Sequence, residues 1–218
     1  NHITTAKDLA ILAKAMIRDH PEQYAIYAER EFTYNNIRQY NRNTLMAEDP
    51  SVDGLKTGHT EEAGYCLVAS AERNGMRLVS VVMGADSKRA RKNETRSLLN
   101  YGFRFFETGT VFEAATELDK PRVWKGNIDY VPVGVLEETV LTLPRGKAKH
   151  LQTNVTLRPE LVAPLAVGDQ VGSVTLSLDG ESVYEGPLVA LSSVEPGGLF
   201  ARLWDMVLMW FANLFSTS

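Results

Sequence analysis

Two apolar runs of strand length, Tyr65 to Ala71 and Met76 to Gly84, are separated by Arg73-Asn74-Gly75. Asn-Gly between such runs predicts a tight antiparallel hairpin, because both central residues of the favoured turn need positive φ. Both runs are too continuous for a sheet wet on one face, so they are expected to be central strands covered on both sides. A cover follows directly. Asp86-Ser87 can cap a helix, and Thr95, Leu98, Leu99, Gly102, Phe103 and Phe106 recur at helical spacing after it. A third strand-like stretch, Val52-Asp53-Gly54-Leu55-Lys56-Thr57-Gly58-His59, precedes the hairpin. Antiparallel strands with a covering helix place this part of the chain in the α+β class.

Upstream, Thr4 or Thr5 can cap a helix, with Asp8 three residues after Thr5 as a short capping-box acid. Leu9, Leu12, Ala13, Met16 and Ile17 share one face, and Pro21 stops the run. Between residues 22 and 50 the signal is weaker, with Phe32-Thr33-Tyr34 as a short strand and Asn35-Asn36 as a turn. At Thr108-Gly109 the chain changes character. Short Val/Leu/Thr-rich segments, near 122–124, 130–133, 140–143, 155–157, 171–178 and 188–191, predict a small antiparallel sandwich or barrel. Leu178-Asp179-Gly180 is a further hairpin turn.

Pro196-Gly197-Gly198 then breaks the chain before an apolar helix, Leu199 to Phe215. Its uninterrupted part is too short for a span of roughly 20 residues, so it is expected to lie on a membrane rather than cross it. Phe200, Trp204, Trp210, Phe211 and Phe215 are the membrane-facing candidates. Arg202, Asp205, Ala212, Asn213 and Ser216 trace a narrow polar stripe. The expected division is 1–107, 108–197 and 198–218.

Composition narrows the function classes. A formal net charge of −4 with no concentrated basic footprint argues against a nucleic-acid partner. One cysteine, Cys66, excludes an internal disulfide, and its apolar neighbours predict a buried, inert position. His2, His20 and His150 have no ligand spacing, so neither a metal site nor a cofactor is expected. The chain begins with Asn1 and shows no signal-peptide pattern, so its start reads as cut.

The chemistry concentrates in Lys56-Thr57-Gly58. A cation, a hydroxyl and a glycine in succession on a strand can grip an anionic substrate while its backbone lies against the sheet edge. Alone the tripeptide is a weak signal, but a turn, two apolar strands and a helix follow it in order. On His2-x-Thr4-Thr5-Ala6-x-Asp8-Leu9-Ala10, Asn41-Arg42-Asn43, Val52 to Thr60, Ala63-Gly64-Tyr65 and Val81 to Ser87, the chain closely resembles the low-molecular-mass penicillin-binding proteins, specifically the serine-type D-alanyl-D-alanine carboxypeptidases.

The resemblance implies an α+β fold. It would comprise the C-terminal part of a penicillin-recognising (β-lactamase/transpeptidase-like) domain with an antiparallel sheet, a small all-β domain and an amphipathic C-terminal helix. It also implies the reaction: a serine attacks the penultimate D-alanine carbonyl, the terminal D-alanine leaves, and water clears the acyl-enzyme. Lys56 would supply positive potential and attract the substrate carboxylate, and Thr57 would donate to it. Gly58 would allow close approach, and the His59 backbone N–H would be one of two oxyanion donors. Arg42 and Arg91 match positions at the carboxylate end of the cleft, although Arg91 among Lys88, Arg89 and Lys92 also reads as a solvated helix charge. The His59 imidazole has no identifiable acidic orienter, and adjacent Glu61 and Glu62 read as exposed loop charges.

Of the family's three signature elements only Lys-Thr-Gly is present. No serine has lysine three residues later and no Ser-x-Asn occurs. Tyr34-Asn35-Asn36 and Thr4-Thr5-Ala6-Lys7 mimic the absent motifs in the wrong part of the family order. The expected protein is therefore the C-terminal part of a carboxypeptidase on the periplasmic face of the bacterial inner membrane, inactive alone. Its expected partners are the peptidoglycan stem peptide, β-lactams, the membrane surface, and an upstream part of the catalytic domain, in the same chain or in another. The alternatives are a β-lactamase-like hydrolase, disfavoured by the β-rich region, and a non-catalytic membrane-associated binding module.

Overall fold

The computed structural model describes residues 3–215, excluding the side chains of Ala201 and residues 209–215; His2 and Ser216 lie outside the described residues. The chain forms two compact units, Asn1–Thr108 and Gly109–Ser218.

The first unit opens with helix α1 (Ala6–Asp19), whose capping box is complete: Thr5 accepts from the Asp8 amide and Asp8 accepts from the Thr5 amide. Proline at the first position of α2 (Pro21–Ala25) starts a new short helix. Strands β1 (Glu31–Tyr34) and β2 (Ile37–Tyr40) then pair as a hairpin. Its turn residues Asn35 and Asn36 both have positive φ, the conformation that two-residue hairpin turns demand. A short helix α3 (Leu45–Glu48) leads into β3 (Val52–Thr60), β4 (Gly64–Arg73) and β5 (Met76–Ala85), an antiparallel sheet in that order. Asn74 and Gly75, at φ 52° and 77°, make the β4–β5 turn.

Helix α4 (Lys88–Phe105) begins where the Ser87 hydroxyl accepts from the Ala90 amide. Leu99 of α4 joins Leu45, Met46, Val52 and Ala71 in a small core, with Leu78 and Phe103 packed against it. Both α1 and α4 pack on β4 and β5. Phe106, expected on the apolar face of α4, instead ends that helix in extended conformation and starts β6 (Phe106–Phe112). A second difference concerns β5. It was expected to be central, but only β4 is; β5 is an end strand, with no partner on its outer side among the described strands.

The second unit is all-β until its last helix. Strands β10 (Gln152–Leu157), β11 (Gln170–Leu178), β12 (Glu181–Ala190), β8 (Val133–Gly134) and β7 (Glu117–Asp119) form one antiparallel sheet in that order. Strands β6 and β9 (Thr139–Pro144) form a second. Asp179 and Gly180, both with positive φ, close the β11–β12 hairpin. The expected strand near 122–124 exists only as isolated bridges, Arg122 to Tyr130 and Trp124 to Val162. Val123, Val131, Val133, Val171, Val174, Leu188 and Val194 centre a single continuous core. Helix α5 (Leu199–Phe215) ends the unit.

Candidate active site

Strand β3 is an edge strand, paired on one side only among the described strands. Lys56 pairs in register with Val68, Thr57 with Leu67, Gly58 with Cys66 and His59 with Tyr65. Lys56, Gly58 and His59 are exposed and Thr57 is half-buried, so a positive charge, a hydroxyl and bare backbone are presented together. A Cβ on Gly58 would meet nothing nearer than the Cys66 Cβ at 3.8 Å, so packing within this chain makes no demand for glycine there. Lys56 Nζ donates to the Thr57 carbonyl. The His59 ring lies against Tyr65 with centroids 3.9 Å apart, a packing contact.

A cavity of about 390 Å³ adjoins this edge; it is walled by apolar side chains of α1 and β4, with Lys56, Thr57 and Gly58 on its border. Cys66 borders it too. The expectation of a fully buried thiol is therefore corrected: Cys66 is half-buried, because the face of β4 on which it sits is only partly covered.

The start of β3 is held by groups that sequence reading did not single out. Tyr24 donates its hydroxyl to Asp53 at 2.6 Å, and Arg77 donates to Asp53 at 2.7 Å and to the Ser70 hydroxyl at 2.8 Å. Burial, and then the hydrogen bond to Asp53, push the Tyr24 phenol well above its ordinary value. Gly54 is closely packed here, since a Cβ would lie 2.6 Å from the Tyr24 hydroxyl oxygen and would force that side chain to move. Asp49 is held below its usual range: hydrogen bonds from Ser51 and Arg73 outweigh the upward push of burial. Nothing local in the sequence announces these pairs, which join residues 24 and 29 positions apart.

Asn41-Arg42-Asn43 now has a division of labour. The Asn41 side-chain amide donates to the carbonyls of Tyr27 and Glu29, and buried Asn43 donates to the Gly54 carbonyl at 2.9 Å. Asn43 ties the segment to β3 and Asn41 ties it to the 27–29 stretch, leaving Arg42 between them exposed. Arg91 is not the solvated helix charge that its sequence neighbours suggest. It is 6% exposed, and its guanidinium donates to the carbonyls of Gly58 at 3.2 Å and Cys66 at 3.3 Å. Burial lowers its pKa from the ordinary value. Arg91 is thus a brace across the β3–β4 pair at the Lys-Thr-Gly segment, not a solvated helix charge.

Glu61 and Glu62 are exposed, and no group of three His, Cys, Asp or Glu side chains suited to a metal occurs among the described residues. In the terminal helix Phe200 is 93% and Trp204 66% exposed. Trp210, Phe211 and Phe215 fall in the same helix, with side chains outside the described set. Asp205 was expected in a narrow polar stripe along the helix. It is buried, accepting from Arg122 and from the Lys125 amide, because that side of α5 rests on the β-rich unit. No described helix is long and apolar enough to cross a membrane.

Comparison with known proteins finds matches to both units. Residues 1–87 match the family model described as D-alanyl-D-alanine carboxypeptidase, and residues 106–196 match that of the penicillin-binding protein 5 C-terminal domain. The D-alanyl-D-alanine carboxypeptidase DacC of Escherichia coli K12 is 48% identical over 98% of this chain and 55% of its own length. DacA of the same organism is 42% identical over 97% of this chain and 53% of its own. The crystal structure of penicillin-binding protein 5 from Haemophilus influenzae superposes with a TM-score of 0.79 at 42% identity, covering 88% of this chain and 57% of that one. The chain therefore spans about half the length of the curated relatives it matches.

Proposed function

Because this chain belongs to the D-alanyl-D-alanine carboxypeptidase family of low-molecular-mass penicillin-binding proteins, as its C-terminal part, we propose that it forms the carboxylate-gripping wall of a serine-type carboxypeptidase acting on peptidoglycan stem peptides. The observation that carries the reading is the exposed Lys56-Thr57-Gly58 segment on an edge strand. A stem peptide lies along β3 as an added strand, with its terminal carboxylate on the Lys56 ammonium and the Thr57 hydroxyl. Gly58, which the fold itself does not need, leaves room for that backbone. The His59 amide supplies one oxyanion donor, and Arg42 extends the positive field from the rim. Arg91 acts on the carboxylate indirectly, by holding the Gly58 carbonyl and so the trajectory of β3.

The attacking serine, its lysine base and the second oxyanion donor come from chain outside these 218 residues, in which no Ser-x-x-Lys or Ser-x-Asn occurs. That chain covers the apolar cavity between α1 and the sheet, where Leu12 is 62% exposed beside Leu9 and Met16. β-Lactams acylate the same serine with their carboxylate on Lys56 and Thr57. The protein works at the periplasmic face of the inner membrane, held there by the apolar face of α5 lying in the headgroup region.

A fluorescent penicillin tests the catalytic reading. The 218-residue chain alone takes no covalent label, and the chain joined to a segment carrying both absent motifs is labelled and releases D-alanine. Acylation of the chain alone would overturn the division of the site. Flotation with liposomes tests the anchor: it is lost on deleting residues 199–218, and undiminished flotation refutes it.

A further inference from the structure

Helix α5 carries one acidic side chain, Asp205, in its otherwise largely apolar middle. A carboxylate there is costly on a lipid-facing surface and costly when buried without partners. The fold gives it partners. One carboxylate oxygen accepts from the Lys125 backbone amide at 2.6 Å and the other from the Arg122 guanidinium at 3.2 Å, leaving the Asp205 side chain 11% exposed.

The donors are themselves arranged by the β-rich unit. The Arg122 guanidinium carbon lies over the Trp124 ring, 4.1 Å from its centroid. Lys125 has φ of 60°, an unfavoured conformation for a non-glycine residue, and it stands in the same turn that offers its amide to Asp205. The turn is fixed from the other side as well. The Gly197 amide donates to the Lys125 carbonyl at 2.8 Å, and Gly126 pairs with Pro196 as an isolated bridge. The chain just before α5 is therefore stitched to the same turn that receives Asp205.

We infer that Arg122, Trp124 and the Lys125 amide form a carboxylate-binding niche on the β-rich unit, filled by Asp205, which docks α5 as a preformed helix. The niche defines which side of the helix is free. Phe200, Leu203 and Val207 lie about opposite Asp205 at 100° per residue and are exposed, whereas Leu208, near Asp205, is half-buried. A short helix alone is marginal in water, so docking orders it before any surface is met. In consequence, and resting on the anchor reading above, the unit meets the bilayer with a fixed apolar face rather than through a loose tail.

Hydrogen exchange on the full 218-residue chain without lipid tests the niche. Wild-type amides within 199–208 are expected to be protected, and Asp205→Ala to speed their exchange at least tenfold, with core amides of β11 and β12 unchanged. Arg122→Gln, which removes one donor and leaves the Lys125 amide, should give a smaller increase. Equal exchange in wild type and Asp205→Ala overturns the proposal, as does an unprotected wild-type helix. Flotation with phosphatidylglycerol-containing vesicles is scored separately. Protection without flotation removes the membrane role and leaves the niche; flotation without protection removes the niche and leaves the anchor.

Discussion

The two units differ in how completely they bury their own apolar surface. The β-rich unit closes around one valine- and leucine-rich core, and its most exposed large apolar side chains gather on α5. The first unit has a much smaller buried cluster, an apolar cavity between α1 and the sheet, and a sheet whose end strand β5 has no outer partner among the described strands. Strand edges and apolar faces are normally paired or covered. The contrast teaches that the second unit closes over its own apolar core while the first leaves apolar surface open, and it is the cavity of the first that borders the Lys-Thr-Gly segment.

The sharpest way to break this contrast is to truncate one apolar side chain in each unit. Leu188→Ala, in the closed core with no exposure, should destabilise the second unit by about 2–5 kcal/mol in chemical denaturation. Leu12→Ala on the exposed side of α1 should stay within about 0.5 kcal/mol in this chain alone. Comparable losses would refute the contrast.

Two glycines on one strand give the next test. Gly54→Ala should cost about 1–3 kcal/mol, as its methyl group meets the Tyr24 hydroxyl. Gly58→Ala should leave stability nearly unchanged and instead slow penicillin acylation in an enzyme completed by the upstream segment. Arg91→Ala removes charge-assisted hydrogen bonds to two strand carbonyls and should lower stability by about 1.5–3 kcal/mol.

The smallest effect expected is a dependence on pH. Folding favours the protonated Tyr24 phenol, so its contribution is intact below 10.0, the ordinary value, and declines as pH rises beyond it. Tyr24→Phe should cost about 0.5–1.5 kcal/mol at neutral pH and flatten that part of the alkaline stability profile. An unchanged alkaline profile in the variant would show that the Tyr24–Asp53 bond does not govern it.

Local patterns made much of the architecture legible. Thr5 and Ser87 as caps, Asn74-Gly75 and Asp179-Gly180 as turns, and the strand and helix periods around them are interactions among near neighbours, which a linear chain displays. The Val52 to Thr60 run likewise carries its resemblance in adjacent residues. What tertiary structure decided is where charges go once distant segments meet. Arg91 could be read as solvated until α4 packed on β4, and Asp205 as one member of a polar stripe until α5 met the turn at Lys125. Tyr24, Asp53 and Arg77 acquire their roles only where α2, β3 and β5 converge. A buried charge needs partners whose identity depends on three-dimensional approach rather than spacing. The sequence by itself determined most strands, the turns, the caps and the Lys-Thr-Gly segment; folding decided which polar residues brace that segment and which side of the last helix remains free.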